Sequence, residues 1–275
     1  MSGIYIRVTG GLGNQIFQAL KAFKIQLEVE KPIFFVDKYQ NDFLRPKSFV
    51  ESDKREFSLS KLGIIDAESS FHCDSPSLFC RFIFKYRVAK VFGKNGILKI
   101  FKNIYVDGYF IKGEKFGNEI KLLSEEIIRT HSIKKKEGAA IHVRAGDLLR
   151  QPQNLLITKD YYEKSISFLN KNYNVKNFFV FTEDVKFAKG LFSNLVNLYS
   201  IEFKSSNEIS DFMSLMSYEF LISANSTFSW TAGLLGFSEF FVSTEFFYVL
   251  NDKPEVLPKE LVMNFNGAFI EKKNY

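Results

Sequence analysis

The stretch Ile4-Tyr5-Ile6-Arg7-Val8-Thr9-Gly10-Gly11-Leu12-Gly13-Asn14-Gln15 passes from an apolar run through a glycine turn into a helical pattern. Ile4 to Val8 reads as a short strand. From Asn14 to about Glu30 the residues Phe17, Leu20, Phe23 and Leu27 recur at helical spacing. Pro32 cannot continue a helix, and Ile33 to Val36 reads as a second strand. Strand, turn, helix, strand is a βαβ unit, and it sets an α/β expectation for the chain.

Outward from this unit the pattern is uneven at first. Residues 40–75 read as irregular and polar, 78–102 as helical and basic, Ile104 to Asp107 as a strand and Gly113 to Thr130 as a helix. Lys134-Lys135-Lys136-Glu137-Gly138 reads as a linker. Beyond it, apolar runs fall at 139–144, 177–182, 195–199, 219–223 and 239–243, with helical patterns near 159–171, 184–192, 207–217 and 227–236. Short, nearly continuous apolar strands alternating with helices imply a parallel sheet covered on both faces. Two α/β halves, 1–137 and 138–275, suggest two Rossmann-like domains with a cleft between them. Ligands of such sheets sit beyond the carboxyl ends of the strands.

Composition narrows the class. Of 275 residues, 46% are hydrophobic and 25% charged, enough apolar surface for a substantial core. The net charge of +6 suits an anionic small molecule, a membrane surface or nucleic acid about equally. Cys73 and Cys80 form neither a disulfide framework nor a zinc spacing, so both are expected as thiols in a reducing compartment. The N-terminus has no signal-peptide pattern, and no apolar run approaches the roughly 18 residues of a membrane span, so a cytoplasmic protein is expected.

Four polar segments fall where ligands of α/β sheets bind. Gly11 and Gly13, in the turn before the first helix, allow close backbone approach, and the helix start favours an anion. Ile16 occupies the place of a third glycine, so this is not the dinucleotide fingerprint; a plain βα turn is the other reading. The second segment, Ile141-His142-Val143-Arg144-Ala145-Gly146-Asp147, ends a strand. Arg144 offers a two-pronged grip on phosphate, His142 a ring nitrogen to a base or phosphate, and Asp147 a proton acceptor or an anchor for Arg144. Phe181-Thr182-Glu183-Asp184 ends the next strand. A carboxylate there suits the N1 and N2 protons of guanine, and Thr182 or Asp184 suits a helix cap. The fourth, Ser223-Ala224-Asn225-Ser226-Thr227-Phe228-Ser229-Trp230, leaves a strand and enters a helix. Its Asn225, Ser226 and Thr227 suit either a phosphate or a cap. With three His, no Asp-x-Asp pair and no nucleophile elbow, metal and covalent chemistry are not expected. Residues 75–106 contain no acid and seven bases, Arg81, Lys85, Arg87, Lys90, Lys94, Lys99 and Lys102, with aromatics interleaved. That pattern fits either a solvated basic face or a contact with anionic lipid through 79–102.

The ordered set resembles glycosyltransferase family 11, the α-1,2-fucosyltransferases. That family carries a Gly-Gly-Leu-Gly-Asn-Gln start, a His-x-Arg-Arg-x-Asp strand end, a Phe-Ser-Asp-Asp-like segment and a Ser-Asn-Ser-Thr-Phe-Ser-Trp segment. Gly108-Tyr109-Phe110, Asp160-Tyr161-Tyr162 and Asp211-Phe212-Met213-Ser214-Leu215-Met216-Ser217 add to the match. The resemblance implies two facing Rossmann-like domains in the GT-B arrangement, GDP-fucose as donor substrate, no cofactor or metal, and inversion at the anomeric carbon. By motif position Arg144 would hold the diphosphate, with Ser226 and Thr227 on the phosphates. His142 with Glu183 or Asp184 would contact the guanosine, and Asn14 would face the fucose and an oligosaccharide or lipid-linked acceptor. No nucleic acid partner is expected. Ala145 stands in place of the family's second arginine, Glu183 in place of an aspartate, and Thr231 where a second tryptophan is frequent. These departures keep open another GDP-linked deoxy sugar such as GDP-colitose, or a silent nucleotide-sugar-binding protein.

Overall fold

The computed structural model of the chain describes residues 2–37, 57–64, 70–73, 77–86, 88–111, 116–145, 157–244 and 260–263. The described residues of Met1–Phe110 and Phe116–Ser132 pack as one unit, and those of Ile111–Lys115 and Ile133–Tyr275 as a second.

The first unit opens with strand β1 (Ile4–Arg7), helix α1 (Leu12–Val29) and strand β2 (Ile33–Val36), the βαβ unit expected. Gly11 caps α1 without a side chain, and the helix ends at Glu30 in a left-handed conformation, two residues before Pro32. Strand β3 (Ser70–His72), helices α2 (Leu78–Lys85) and α3 (Val88–Phe92), strands β4 (Ile97–Ile100) and β5 (Asn103–Val106) and helix α4 (Asn118–His131) follow. Among the described residues they form one sheet in the order β3-β2-β1-β5-β4, parallel except for the β4–β5 hairpin. The helical pattern expected across 78–102 therefore stops early. Helix α3 ends at Phe92, and Asn95 and Gly96, at φ +52 and +74, make the tight turn between Lys94 and Ile97 that leads into β4.

At the carboxyl end of this sheet Arg7 meets Asp107 at 3.3 Å, both 2% exposed. Two buried glutamines of α1 fix the turn above them. Gln18 accepts from the Thr9 N–H at 3.0 Å and donates to the Gly108 carbonyl at 3.2 Å. Gln15 donates to the Gly10 carbonyl at 2.9 Å and accepts from the Ser58 N–H at 2.9 Å. Each bond satisfies a backbone group that the turn would otherwise leave buried and unpaired.

In the second unit strands and helices alternate from β6 to β10, and β11 follows: β6 (Lys136–Val143), α5 (Lys159–Tyr173), β7 (Asn177–Thr182), α6 (Val185–Leu191), β8 (Ser200–Lys204), α7 (Glu208–Ser217), β9 (Tyr218–Ile222), α8 (Thr227–Leu235), β10 (Phe240–Thr244) and β11 (Glu260–Met263). Among the described residues all strand pairs of this sheet are parallel, in the order β11-β10-β9-β6-β7-β8. The α/β class and the parallel C-terminal sheet are those read from the apolar runs. Ile141, Val143, Tyr161, Tyr162, Ile166, Phe178, Val180, Phe192 and Ile222 fill its core. Burying each large apolar side chain stabilises the unit by about 1.5–3 kcal/mol.

Two expectations fail here. The linker read at 134–138 ends inside β6, because Lys136 pairs with Tyr218 and Gly138, at φ +95, absorbs the register shift between Lys136 and Ala139. The strand read at 195–199 is a run of turns, with Leu195 N–H bonded to Phe192 O and Leu198 N–H to Leu195 O. The strand begins at Ser200, where Ile201 and Phe203 alternate with polar neighbours and pack on the core.

Candidate functional site

The second sheet reverses direction at β6. From β6 the chain adds β7 and then β8 on one side, and later β9, β10 and β11 on the other. The point between β6 and β9 is the switch point at which ligands of open α/β sheets bind. Ile141 of β6 is in register with Ile222 of β9. Arg144 lies three residues beyond the first and Ser226 four beyond the second. The strands run parallel about 4.8 Å apart, so both residues extend the same end of adjoining strands.

Each strand end is held by a tyrosine of α5. Tyr161 donates to the Ser223 carbonyl at 2.8 Å, beyond β9, and Tyr162 donates to the His142 carbonyl at 3.2 Å, in β6. Burial pushes the Tyr162 phenol up, so it stays a neutral donor. These two hydroxyls were not singled out for this role from sequence, because their partners lie far along the chain.

At the end of β6, His142 is 6% exposed and its ring lies 5.3 Å from that of Phe228. Burial first, and the Arg144 charge second, push its pKa down to about 3. The imidazole is therefore neutral at physiological pH, and its buried Nδ1 has no hydrogen-bond partner among the described residues. Arg144 is half-buried beside it. Ala145 is fully buried, so a methyl fills the place where the family has a second guanidinium. Asp147 lies outside the described residues.

At the end of β9, Asn225 and Ser226 are buried and Thr227 is half-buried. Ser226 caps α8, its hydroxyl accepting from the Phe228 N–H at 3.3 Å. Ser229 accepts from the Ala224 N–H at 3.1 Å, and Thr231 donates to the Thr227 carbonyl at 2.8 Å. Thr231 thus bonds within the helix.

At the end of β7, Glu183 is exposed, whereas Asp184 is the N-cap of α6 and accepts from the Phe187 N–H at 2.9 Å. The helix-cap reading of Asp184 is the one seen. A second carboxylate joins this rim: burial pushes the Asp211 pKa up, a backbone bond from Ser206 opposes it, and the charge of Glu183 adds to the rise. Its neighbour Phe212 packs on Phe228 at 5.4 Å. Asp211 was legible only as part of a motif, since an acid in a first helical turn is common.

The glycine motif lies in the first unit, at the switch between β1 and β5. Gly10 has φ +83, and a Cβ there would stand 2.7 Å from Asn14 Nδ2 and 3.3 Å from Tyr109. Gly11 precedes the helix, Gly13 is buried within its first turn, and Asn14 is half-buried.

Residues 98–242 match the model of glycosyl transferase family 11. An α-1,2-colitosyltransferase of Escherichia coli is 28% identical over 84% of this chain and 86% of its own. The O-antigen biosynthesis glycosyltransferase WbnK, also of Escherichia coli, is 24% identical over 82% and 88%. A solved structure of the fucosyltransferase NodZ from Bradyrhizobium covers 86% of this chain and 93% of its own, at 12% identity and a TM-score of 0.44. The family match spans more than half of the chain and contains both strand ends that bear Arg144 and Ser226, and the protein belongs to glycosyltransferase family 11.

Proposed function

We propose that the protein transfers L-fucose from GDP-β-L-fucose to a sugar hydroxyl, galactose O2, with inversion and without a metal ion. The observation that carries this reading is the placement of Arg144 and the Ser226–Thr227 helix start on adjoining strand ends at the switch point. A guanidinium and a helix N-terminus there suit a pyrophosphate. The neutral His142 and the exposed Glu183 are assigned to the guanosine. Glu183 is preferred to Asp184, whose carboxylate is taken by its own helix. Gly11 and Gly13, at the start of α1, are assigned to close approach of the donor, and Asn14 is the residue of that unit assigned to transfer.

Cleaving the fucose–phosphate bond builds positive charge on the sugar and negative charge on departing GDP. A fixed guanidinium stabilises the latter, a kind of term that often dominates catalysis. The acceptor hydroxyl loses its proton to Asp147 or to a phosphate oxygen. The oligosaccharide or glycolipid acceptor is assigned to surface-polysaccharide synthesis, a reading supported by the name of the WbnK relative.

A second reading, transfer of colitose from GDP-colitose, is favoured by the 28%-identical colitosyltransferase and by the buried Ala145. Incubation of purified protein with a β-galactoside and either GDP-sugar separates the two. Product from GDP-fucose with an α-1,2 linkage supports the first, and turnover confined to GDP-colitose the second. GDP binding with neither product leaves a silent binding protein. Arg144→Lys keeps the charge but loses the fork, and a rate loss of about 10²-fold or more is expected.

A further inference from the structure

We infer that the first unit docks on an anionic lipid surface through α2, α3 and the β4–β5 turn. Helix α2 buries Cys80, Ile83 and Phe84 against Val36 and Tyr105. Its other side leaves Leu78, Phe82 and Tyr86 on a single i, i+4, i+8 ridge in water, with Phe79 alongside; Leu78 is 82% exposed. Helix α3, packed on α2 and β4, adds Val91 and Phe92, the latter 78% exposed. The β4–β5 turn adds Phe101, 98% exposed. Seven large apolar side chains on consecutive elements exceed the scattered exposure of an ordinary surface.

Charge identifies the occupant. Residues 75–106 contain no acid, and Lys85, Lys90, Lys94, Lys99 and Lys102 are all exposed on the same elements or the turns that join them. Lys85 lies over the Tyr86 ring at 5.4 Å, so cation and aromatic present together. Aromatic groups at the headgroup level and lysines reaching anionic headgroups are the two parts of interfacial binding. A second copy of this chain meets the face poorly, since a two-fold contact would set the same lysines against one another. Among the described residues no helix is long and apolar enough to cross a membrane, so the contact is peripheral.

The test needs neither donor nor acceptor, so it stands apart from the proposed activity. The full chain is sedimented with extruded vesicles of phosphatidylcholine containing about one third phosphatidylglycerol, and with phosphatidylcholine alone. Pelleting with the anionic vesicles is expected, weakened about tenfold or more between ~0.1 and ~0.5 M salt. Phe82→Ser with Phe92→Ser, and separately Lys85→Glu with Lys90→Glu, should each abolish it while far-UV circular dichroism and the melting profile stay unchanged. No pelleting, equal pelleting with neutral vesicles, or variants that pellet like the parent overturn the inference. So does a concentration-dependent dimer that the phenylalanine variants dissolve without any vesicle binding.

Discussion

Gly10 and His142 show what single positions decide. At Gly10 the left-handed backbone excludes other residues, and the space above it is taken by Asn14 and Tyr109. Gly10→Ala is expected to cost about 1–2 kcal/mol from the backbone alone, and to displace the Asn14 amide. Thermal unfolding reads the first effect, and turnover at saturating donor reads the second. Unchanged turnover would separate Asn14 from transfer. His142 has a folded pKa near 3, below its ordinary value of 6.5. Between those values the unfolded chain binds a proton that the folded chain refuses, so stability falls as pH drops through 6.5 toward 3. Above the ordinary value this group contributes no pH dependence. Urea unfolding at pH 7 and pH 5 should show a smaller loss for His142→Gln than for the parent, and an equal loss would contradict the burial account. Arg144 and Ser226 were legible in sequence because each follows an apolar run, whereas Tyr161 and Tyr162 were not, since their hydroxyls reach strand ends tens of residues away.

At the scale of elements, the buried Arg7–Asp107 pair joins the ends of β1 and β5 beneath the glycine turn. Asp107→Asn leaves the arginine buried without its counter-charge, a change expected to cost about 3–5 kcal/mol. Denaturant unfolding checks this, and a loss below about 1 kcal/mol would mean that water or another group compensates. Strands β6, β7, β9 and β10 were readable because both faces are buried, which makes each a continuous apolar run. Elements β3 and β4 were not, being three and four residues long, with no fully buried residue in β4. The run at 195–199 misled for a different reason. Its apolar residues serve a turn whose inner side chain, Leu195, is buried while Val196 and Leu198 stand in water. Hydrophobicity alone does not distinguish that from a strand.

At the scale of the molecule, each sheet starts at its centre, grows to one side, and then returns to the other. That topology fixes where chemistry can gather: three of the four polar motifs of the sequence follow strands that flank the two switch points, and the fourth ends β7, the next strand along from β6. The ends of strands beside a switch point are open to solvent at a place where no crossover helix covers them. The fold class was therefore legible from the periodicity of the apolar runs, and the strand ends that carry the proposed donor site from the polar residues that terminate them. The first unit was harder to read, because α2, α3, β4 and β5 are short elements around a small satellite core. Family membership adds the reaction class, glycosyl transfer.

The central claim is that Arg144 and Ser226 grip one diphosphate, and calorimetric titration with GDP tests it most directly. Parent, Arg144→Ala, Ser226→Ala and the double variant are compared, each first shown to melt as a folded protein. The account predicts that each single change weakens GDP binding by about tenfold or more, and that the double change costs clearly less than the product of the two, as neighbours on one ligand do. GDP affinity unchanged in Arg144→Ala, or single effects that multiply without coupling, would contradict it.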